Sequence, residues 1–407
     1  MKKLMTLLAF SVALSPVCEA QYWERQASGV STVLQGVFFI SPTQGWVVGS
    51  SGVILATVDG GATWTPQVSP AGSSVHLRAV YFTSSTKGWI VGDTQTLLTT
   101  ENGGGTWTDV TTSAGSAYYD VFFTSPDTGY IVGGSGVTGE VQRTTNGGQT
   151  WAITSLDRVL KSVYFTAHNK GWACGDRGVI YRTTNGVSWT QQAAPGANVT
   201  TNLSAIYMLS DTVGWACGNP SSNKRTVDGG LTWTNQASGT NAGKTGIYFS
   251  DSQNGWVTST TALGGGDCPI GCPFRYTSNG GSAWVTDTLR TPSVRCMRFY
   301  SPTFGWAVGD DGWIYRFGNA GTTVPEGAVT ANTIRISPNP VGDRLMLTSD
   351  EPIRAAEVFN SMGALVLTLN GGSLTSIDVG ALPPGSYAIR AITNSGARSQ
   401  VERFTKE

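Results

Sequence analysis

Charge is scarce in this 407-residue chain: 13% of its residues are Asp, Glu, Lys or Arg, and 26 basic residues balance 26 acidic ones. Zero formal net charge removes the broad electrostatic attraction that nucleic-acid and anionic-membrane partners require. Histidine is nearly absent, with only His76 and His168. With no Cys/His spacing of the zinc type, no metal site is expected. No Ser/His/Asp set, phosphate loop or dinucleotide fingerprint stands out, so no cofactor is expected either. No stretch approaches the ~20 apolar residues that cross a bilayer as a helix. What is plentiful is glycine, 53 residues, which with few charges favours short strands joined by tight turns over helices.

Residues 1–20 read as a signal peptide. Lys2 and Lys3 form a charged start, Leu4 to Leu14 a short apolar run, and Cys18-Glu19-Ala20 places small residues before a cut at Gln21. Export permits disulfides. Cys268 and Cys272, in the inserted loop GGGDCPIGCP, are the disulfide candidate; Cys174 and Cys217 stand in equivalent GWACG segments and read as small core residues a blade apart.

One stretch recurs seven times. Its clearest copy, Val37 to Trp64, has an apolar run, a Gly-Trp pair, a Gly-rich turn, a second apolar run, and Thr-x-Asp-Gly-Gly-x-Thr-Trp. The Gly-aromatic pair returns at Trp46, Trp89, Tyr130, Trp172, Trp215, Trp256 and Trp306. A period of ~42 residues with four short strands per copy predicts a seven-bladed β-propeller over residues 21–317. Packing roles thereby absorb nearly every tryptophan, which leaves no sugar-stacking platform to infer from their number.

The turn before each outer strand carries Asp59, Asn102, Asn146, Asp228 or Asn279, followed by glycines and a tryptophan; the copy at Asn185–Trp189 is one residue short. A carboxylate or amide can accept backbone N–H bonds there, and glycine supplies positive φ. An amide cannot replace a catalytic carboxylate, so these positions read as structural. The turns resemble the Asp-box, or BNR, repeat. The seventh repeat lacks this turn and its closing Trp, and Trp23 to Gly29 mirrors Trp233 to Gly239. The N-terminus is therefore expected to supply the last blade's outer strand.

After Phe317 the composition changes. Residues 318–333 read as a linker, and 334–407 as a small β-sandwich with landmarks Ser337-Pro338-Asn339-Pro340, Leu382 to Tyr387 and Arg403 to Lys406. These landmarks resemble the C-terminal sorting domain of the type IX secretion system of Bacteroidetes. The resemblance implies passage through the outer membrane by that machinery, and a secreted or surface location.

The repeat pattern of residues 21–317 is similar to the photosystem II assembly and stability factor family. That resemblance implies a non-catalytic binding ring, here an expected monomer with an unknown protein or glycan ligand. On the expected binding face lie Arg78, Lys161 and Arg295 at equivalent positions, with Asp93, Asp176, Arg177, Asp310, Asp311 and the insert from Thr258 to Arg275. Asp-box propellers also include sialidases and other glycoside hydrolases, the alternative reading. Such chemistry needs two placed carboxylates, or a Tyr nucleophile with an arginine cluster. The acidic residues named here follow one turn pattern instead, and no catalytic residue is assigned.

Overall fold

The computed structural model describes residues 21–110, 116–194, 201–220, 222–237, 242–260, 273–287, 289, 291–319, 334–349, 351–360, 365–394 and 402–406. The signal peptide, most of the linker, and both Cys268 and Cys272 lie outside them.

Seven four-stranded antiparallel sheets form the propeller. Their innermost strands define blades 1 to 7: Leu34–Phe39, Leu77–Phe82, Ala117–Phe123, Leu160–Ala167, Leu203–Met208, Lys244–Phe249 and Val294–Ser301. Consecutive innermost strands adjoin, and that of blade 7 adjoins that of blade 1, so the ring is closed. The N-terminal strand Gln21–Gln26 pairs with Ile314–Asn319 in blade 7, from Gln21↔Asn319 to Gln26↔Ile314. That ladder carries the propeller two residues past the expected boundary at Phe317.

Packing explains why a Gly-Trp pair marks every blade. In blade 1 the Trp46 ring stacks on Phe82 of blade 2 at 3.4 Å, and its Nε1 donates to Gly103 O in the blade 2 Asp-box turn at 3.0 Å. Trp172, Trp215 and Trp306 make the same bond to Gly229, Gly280 and Gly60, always one blade onward. The Gln three residues after an outer-strand Trp adds a second tie. Gln67 Nε2 donates to Gly103 O, and Gln26 Nε2 donates to Gly60 O, so the closing strand grips blade 1 as blade 1 grips blade 2. Gly61 must be glycine: its φ is +91°, and a Cβ there would meet Gln26 Oε1 at 2.1 Å.

The Asp-box turns behave as caps. Asp59 Oδ1 accepts from Thr57 Oγ1 and Thr63 N, and its Oδ2 accepts from Thr63 Oγ1. Asn102 keeps the first two bonds and turns its amide nitrogen to donate to Thr106 Oγ1, so amide and carboxylate serve alike. The hydroxyl and N–H of Thr232 hold the Asp228 carboxyl down at about 2. The short copy closes differently, with Asn185 Oδ1 accepting from Val187 N and Ser188 N.

One core position breaks the repeat. Leu34, Leu77, Tyr118, Leu160, Leu203 and Val294 form the last pair before a register shift near the start of the ladder between first and second strands; blade 6 puts Lys244 there, equally buried. Burial, with Arg275 nearby, pushes the Lys244 ammonium down to about 8. Between pH 8 and 10.5 the unfolded chain binds this proton and the folded one does not, so stability from this group rises with pH there. Lys244→Leu is expected to raise the unfolding free energy at pH 7, by on the order of 2 kcal/mol, and to flatten its rise above pH 8. Denaturant melts at pH 7 and 10 check both.

The described residues of the C-terminal region form two packed sheets, one ordered Ile334–Ser337, Arg344–Ser349, Ser376–Asp378, and the other Leu365–Asn370, Ile353–Asn360, Gly385–Thr393, Glu402–Lys406. Leu345, Val358, Ile377 and Ile389 are central to the core. The sequence landmarks meet at the terminal strand. Asn339 Oδ1 accepts from Thr405 N at 2.9 Å, Tyr387 donates to Pro383 O, and the Tyr387 and Phe404 rings stack. Both Ile334–Ser337 and Glu402–Lys406 are strands that the apolar pattern did not single out.

Candidate functional site

Every innermost strand carries a β-bulge just after its first residue, or after its second in blade 3. The bulged residues are Gln35, Arg78, Tyr119, Lys161, Ser204, Thr245 and Arg295, a ring of side chains around one mouth of the central channel. A bulge frees one residue from the ladder and re-aims its side chain. The turn between second and third strands is tied to this mouth. Asp93 N donates to His76 O, Asp176 N to Val159 O, and Asp310 N to Ser293 O, each at 2.9–3.0 Å. These turns therefore share one end of the ring with the bulged residues.

The three aligned cations are nevertheless engaged. Arg78 Nε donates to Asp93 Oδ1 at 2.5 Å, and Arg295 makes a two-pronged pair with Asp310 at 2.7 and 3.1 Å. Lys161 lies 4.0 Å from Asp176. Blades with Ser50, Asn219 or Thr260 in place of the acid carry Gln35, Ser204 or Thr245 in place of the base, so each pair is an intra-blade unit. Half-exposed pairs of this kind contribute little to stability. Arg177 and Asp311 are exposed at left-handed turn tips, with φ of 59° and 57°.

Blade 3 departs from this pattern. Its second and third strands, Gly129–Ser135 and Thr138–Thr144, run on as a hairpin, and its bulged residue is Tyr119. The Lys161 ammonium sits 3.5 Å from the Tyr119 ring centroid and the Arg78 guanidinium 4.8 Å, a cation–π arrangement. Tyr119, Lys161, Asp93, Asp176 and the backbone of Gly134–Gly136 line a cleft of about 400 Å³. Of the sequence-derived residues, Asp93, Lys161 and Asp176 come together here; Arg295, Asp310, Arg177 and Asp311 do not line it. Of the insert, Thr258–Thr260 and Pro273–Arg275 are described, and the residues between are not.

Below the mouth the channel is plugged. Phe38, Tyr81, Phe122, Tyr164, Tyr207 and Tyr248 occupy equivalent positions, with successive ring centroids 4.6 to 5.5 Å apart. Burial raises the Tyr164 hydroxyl to about 12 and that of Tyr81 higher still. The seventh position is Arg298, whose Nη2 reaches across the ring to Asp120 Oδ1 at 3.3 Å. Asp120 is 5% exposed and also accepts from Val121 N, Ser162 Oγ and Val163 N. Burial pushes its carboxyl up, against the opposing pull of Arg298 and these donors. Tyr119, Asp120 and Arg298 were not among the residues expected from sequence. Among the described residues there is no cluster able to hold a metal ion, and no helix is long and apolar enough to cross a membrane.

Residues 15–117 match the family described as photosynthesis system II assembly factor YCF48, and residues 335–407 match the secretion system C-terminal sorting domain. The chloroplastic photosystem II stability/assembly factor HCF136 of Oryza sativa subsp. japonica is 42% identical over 67 residues, 16% of this chain and 15% of that protein. A solved structure of YCF48 bound to D1 peptide covers 73% of this chain and 97% of its own, at 20% identity and a TM-score of 0.60. An ancestral GH74 enzyme shares the fold at 13% identity and a TM-score of 0.55, covering 95% of this chain and 63% of its own, so the architecture also carries catalysis elsewhere. The chain thus couples a seven-bladed β-propeller similar to the photosynthesis system II assembly factors to a secretion system C-terminal sorting domain.

Proposed function

We propose that this protein is an exported, non-catalytic binding ring. It crosses the outer membrane by type IX secretion, directed by residues 334–407, and captures a protein segment at the blade 2–4 sector of its channel mouth. The observation that carries this reading is the cleft itself: an aromatic ring flanked by two cations, rimmed by Asp93 and Asp176, and floored by a glycine-rich hairpin. Its charges balance, which suits a polar, extended polypeptide better than a strongly charged ligand. A protein ligand also agrees with the similarity to a propeller that binds a peptide. The aligned acids are each committed to a base in their own blade, unlike the tuned carboxylate pair of a glycoside hydrolase.

The test is capture of the full chain on an array of peptides from exported and surface proteins, with a glycan array in parallel. Wild type is expected to bind a subset of peptides, and Tyr119→Ala with Lys161→Glu to weaken that binding at least ten-fold while the melt is retained. Capture confined to glycans would shift the ligand class. Hydrolysis of fluorogenic glycosides that vanishes in Asp176→Asn would replace the reading with the enzymatic one.

A further inference from the structure

The outer strand of a propeller blade has one free edge, and an unguarded edge is a template for another strand. Six blades guard theirs. Blades 2, 4, 5 and 6 keep the outer strand to two residues: Thr108–Asp109, Thr190–Gln191, Thr234–Asn235 and Val285–Thr286. Blade 1 places Pro66 in the middle of Thr65–Gln67, and blade 7 places Glu24 and Arg25 within Gln21–Gln26. Blade 3 has Ala152–Leu156: five residues, AITSL, with neither proline nor charge.

The ladder fixes which groups face outward. In blade 2 Val110 N donates to Leu97 O, and the equivalent residue of blade 3 is Thr154, opposite Val141. Alternation in an antiparallel ladder then turns Ala152, Thr154 and Leu156 inward and leaves the N–H and C=O of Ile153 and Ser155 at the open edge. Among the described residues no partner of those four groups is seen, and the Ile153 side chain is 54% exposed beside them.

We infer that Ala152–Leu156 is a strand-addition site, which takes an extended, uncharged segment of a partner protein as a fifth strand of blade 3. Four outward backbone groups in register select an extended polypeptide, because no other ligand class offers alternating donors and acceptors at that spacing. A second copy of this chain is the poorer occupant. A five-residue pairing spans only about 17 Å and falls far short of the ~1,000 Å² that a stable interface requires. The site is separate from the channel-mouth cleft and does not depend on it.

Blade 1 supplies the test variant. Pro66 faces Leu55 in the register that Ile153 occupies opposite Gln142, so Ile153→Pro copies a solution that the fold already uses and removes an outward N–H only. The probe is a fluorescent peptide with the sequence of residues 138–144, the strand that already pairs with Ala152–Leu156 on its other edge, with Gln in place of Glu140 and Arg143 so that it carries no charge. The full chain is expected to bind it, with amide-exchange protection at Ile153 and Ser155, and Ile153→Pro to weaken binding at least ten-fold with an unchanged melt. Leu367→Pro, in the uncharged edge strand Leu365–Asn370 of the C-terminal domain, is expected to leave it unaltered. If Ile153→Pro unfolds the chain, Ile153→Lys gives the same readout. Equal binding by wild type and edge variants, loss of binding in Leu367→Pro instead, or sedimentation of the chain as a dimer that Ile153→Pro dissociates would each overturn the assignment.

Discussion

Deletion of residues 21–26 is expected to produce the largest loss of stability of any short change in this chain. The segment supplies a whole strand of blade 7 and carries Trp23, 4% exposed. Trp23 stacks on Phe274 of blade 6 at 4.5 Å and meets Trp256 edge-on at 6.0 Å. Blade 7 has no Asp-box turn to receive Trp256, so Trp23 replaces the joint used elsewhere in the ring. Trp23→Ala alone should cost about 3–5 kcal/mol by lost burial and the cavity left behind. The deletion also removes the ladder and the Gln26 tie to Gly60, and should lower the melting temperature by on the order of 10 °C or more. An unchanged melt would show that the ring does not need this closure.

The second large effect is expected at Asp120. Asp120→Ala removes the acceptor for Val121 N, Val163 N and the Ser162 hydroxyl, and leaves the Arg298 guanidinium alone among aromatic rings. Breaking such a pair from one side should cost about 3 kcal/mol or more. Arg298→Met fits the aromatic collar but strands the carboxylate, so it too should destabilise. The double variant Asp120→Asn with Arg298→Met should recover part of the loss, because the buried carboxylate charge and its partly exposed partner are removed together while Asn keeps an acceptor for the neighbouring donors. Asp120→Asn alone completes the cycle: chemical denaturation of wild type, Asp120→Asn, Arg298→Met and the double variant yields the coupling energy, and strict additivity would mean that the contact across the ring carries no energy.

The repeat made the ring legible. Tryptophans at a constant spacing, an Asp or Asn before paired glycines, and a Trp-x-x-Gln echo between the N-terminal strand and the outer strands of blades 1 and 5 all report contacts between neighbouring blades, which recur with the period. The pairing of Arg78 with Asp93 was less legible, because the sequence places both on one expected binding face without showing that acid and base rise and fall together from blade to blade. Tyr119, Asp120 and Arg298 left a signal of another kind. In the aligned repeats Arg298 stands where six blades have an aromatic residue, and Asp120 where the others have Gly36, Ala79, Ser162, Ala205, Gly246 or Cys296. Two opposite charges at such positions predict a pair only once the chain is known to bend into a circle, since 178 residues separate them. The blade 3 edge is legible only by comparison of ladder lengths, which apolar periodicity does not report.

The closing strand also sets an order of events. Gln21 is made early, yet its partner Asn319 comes almost three hundred residues later, so the closing segment must wait through the synthesis of six blades with the Trp23 ring uncovered. Loop closure over that span is slow compared with the local hairpins. The meeting of the two ends is therefore expected to come late in folding, and a holding factor that shields an indole-bearing N-terminus would shorten the aggregation-prone interval.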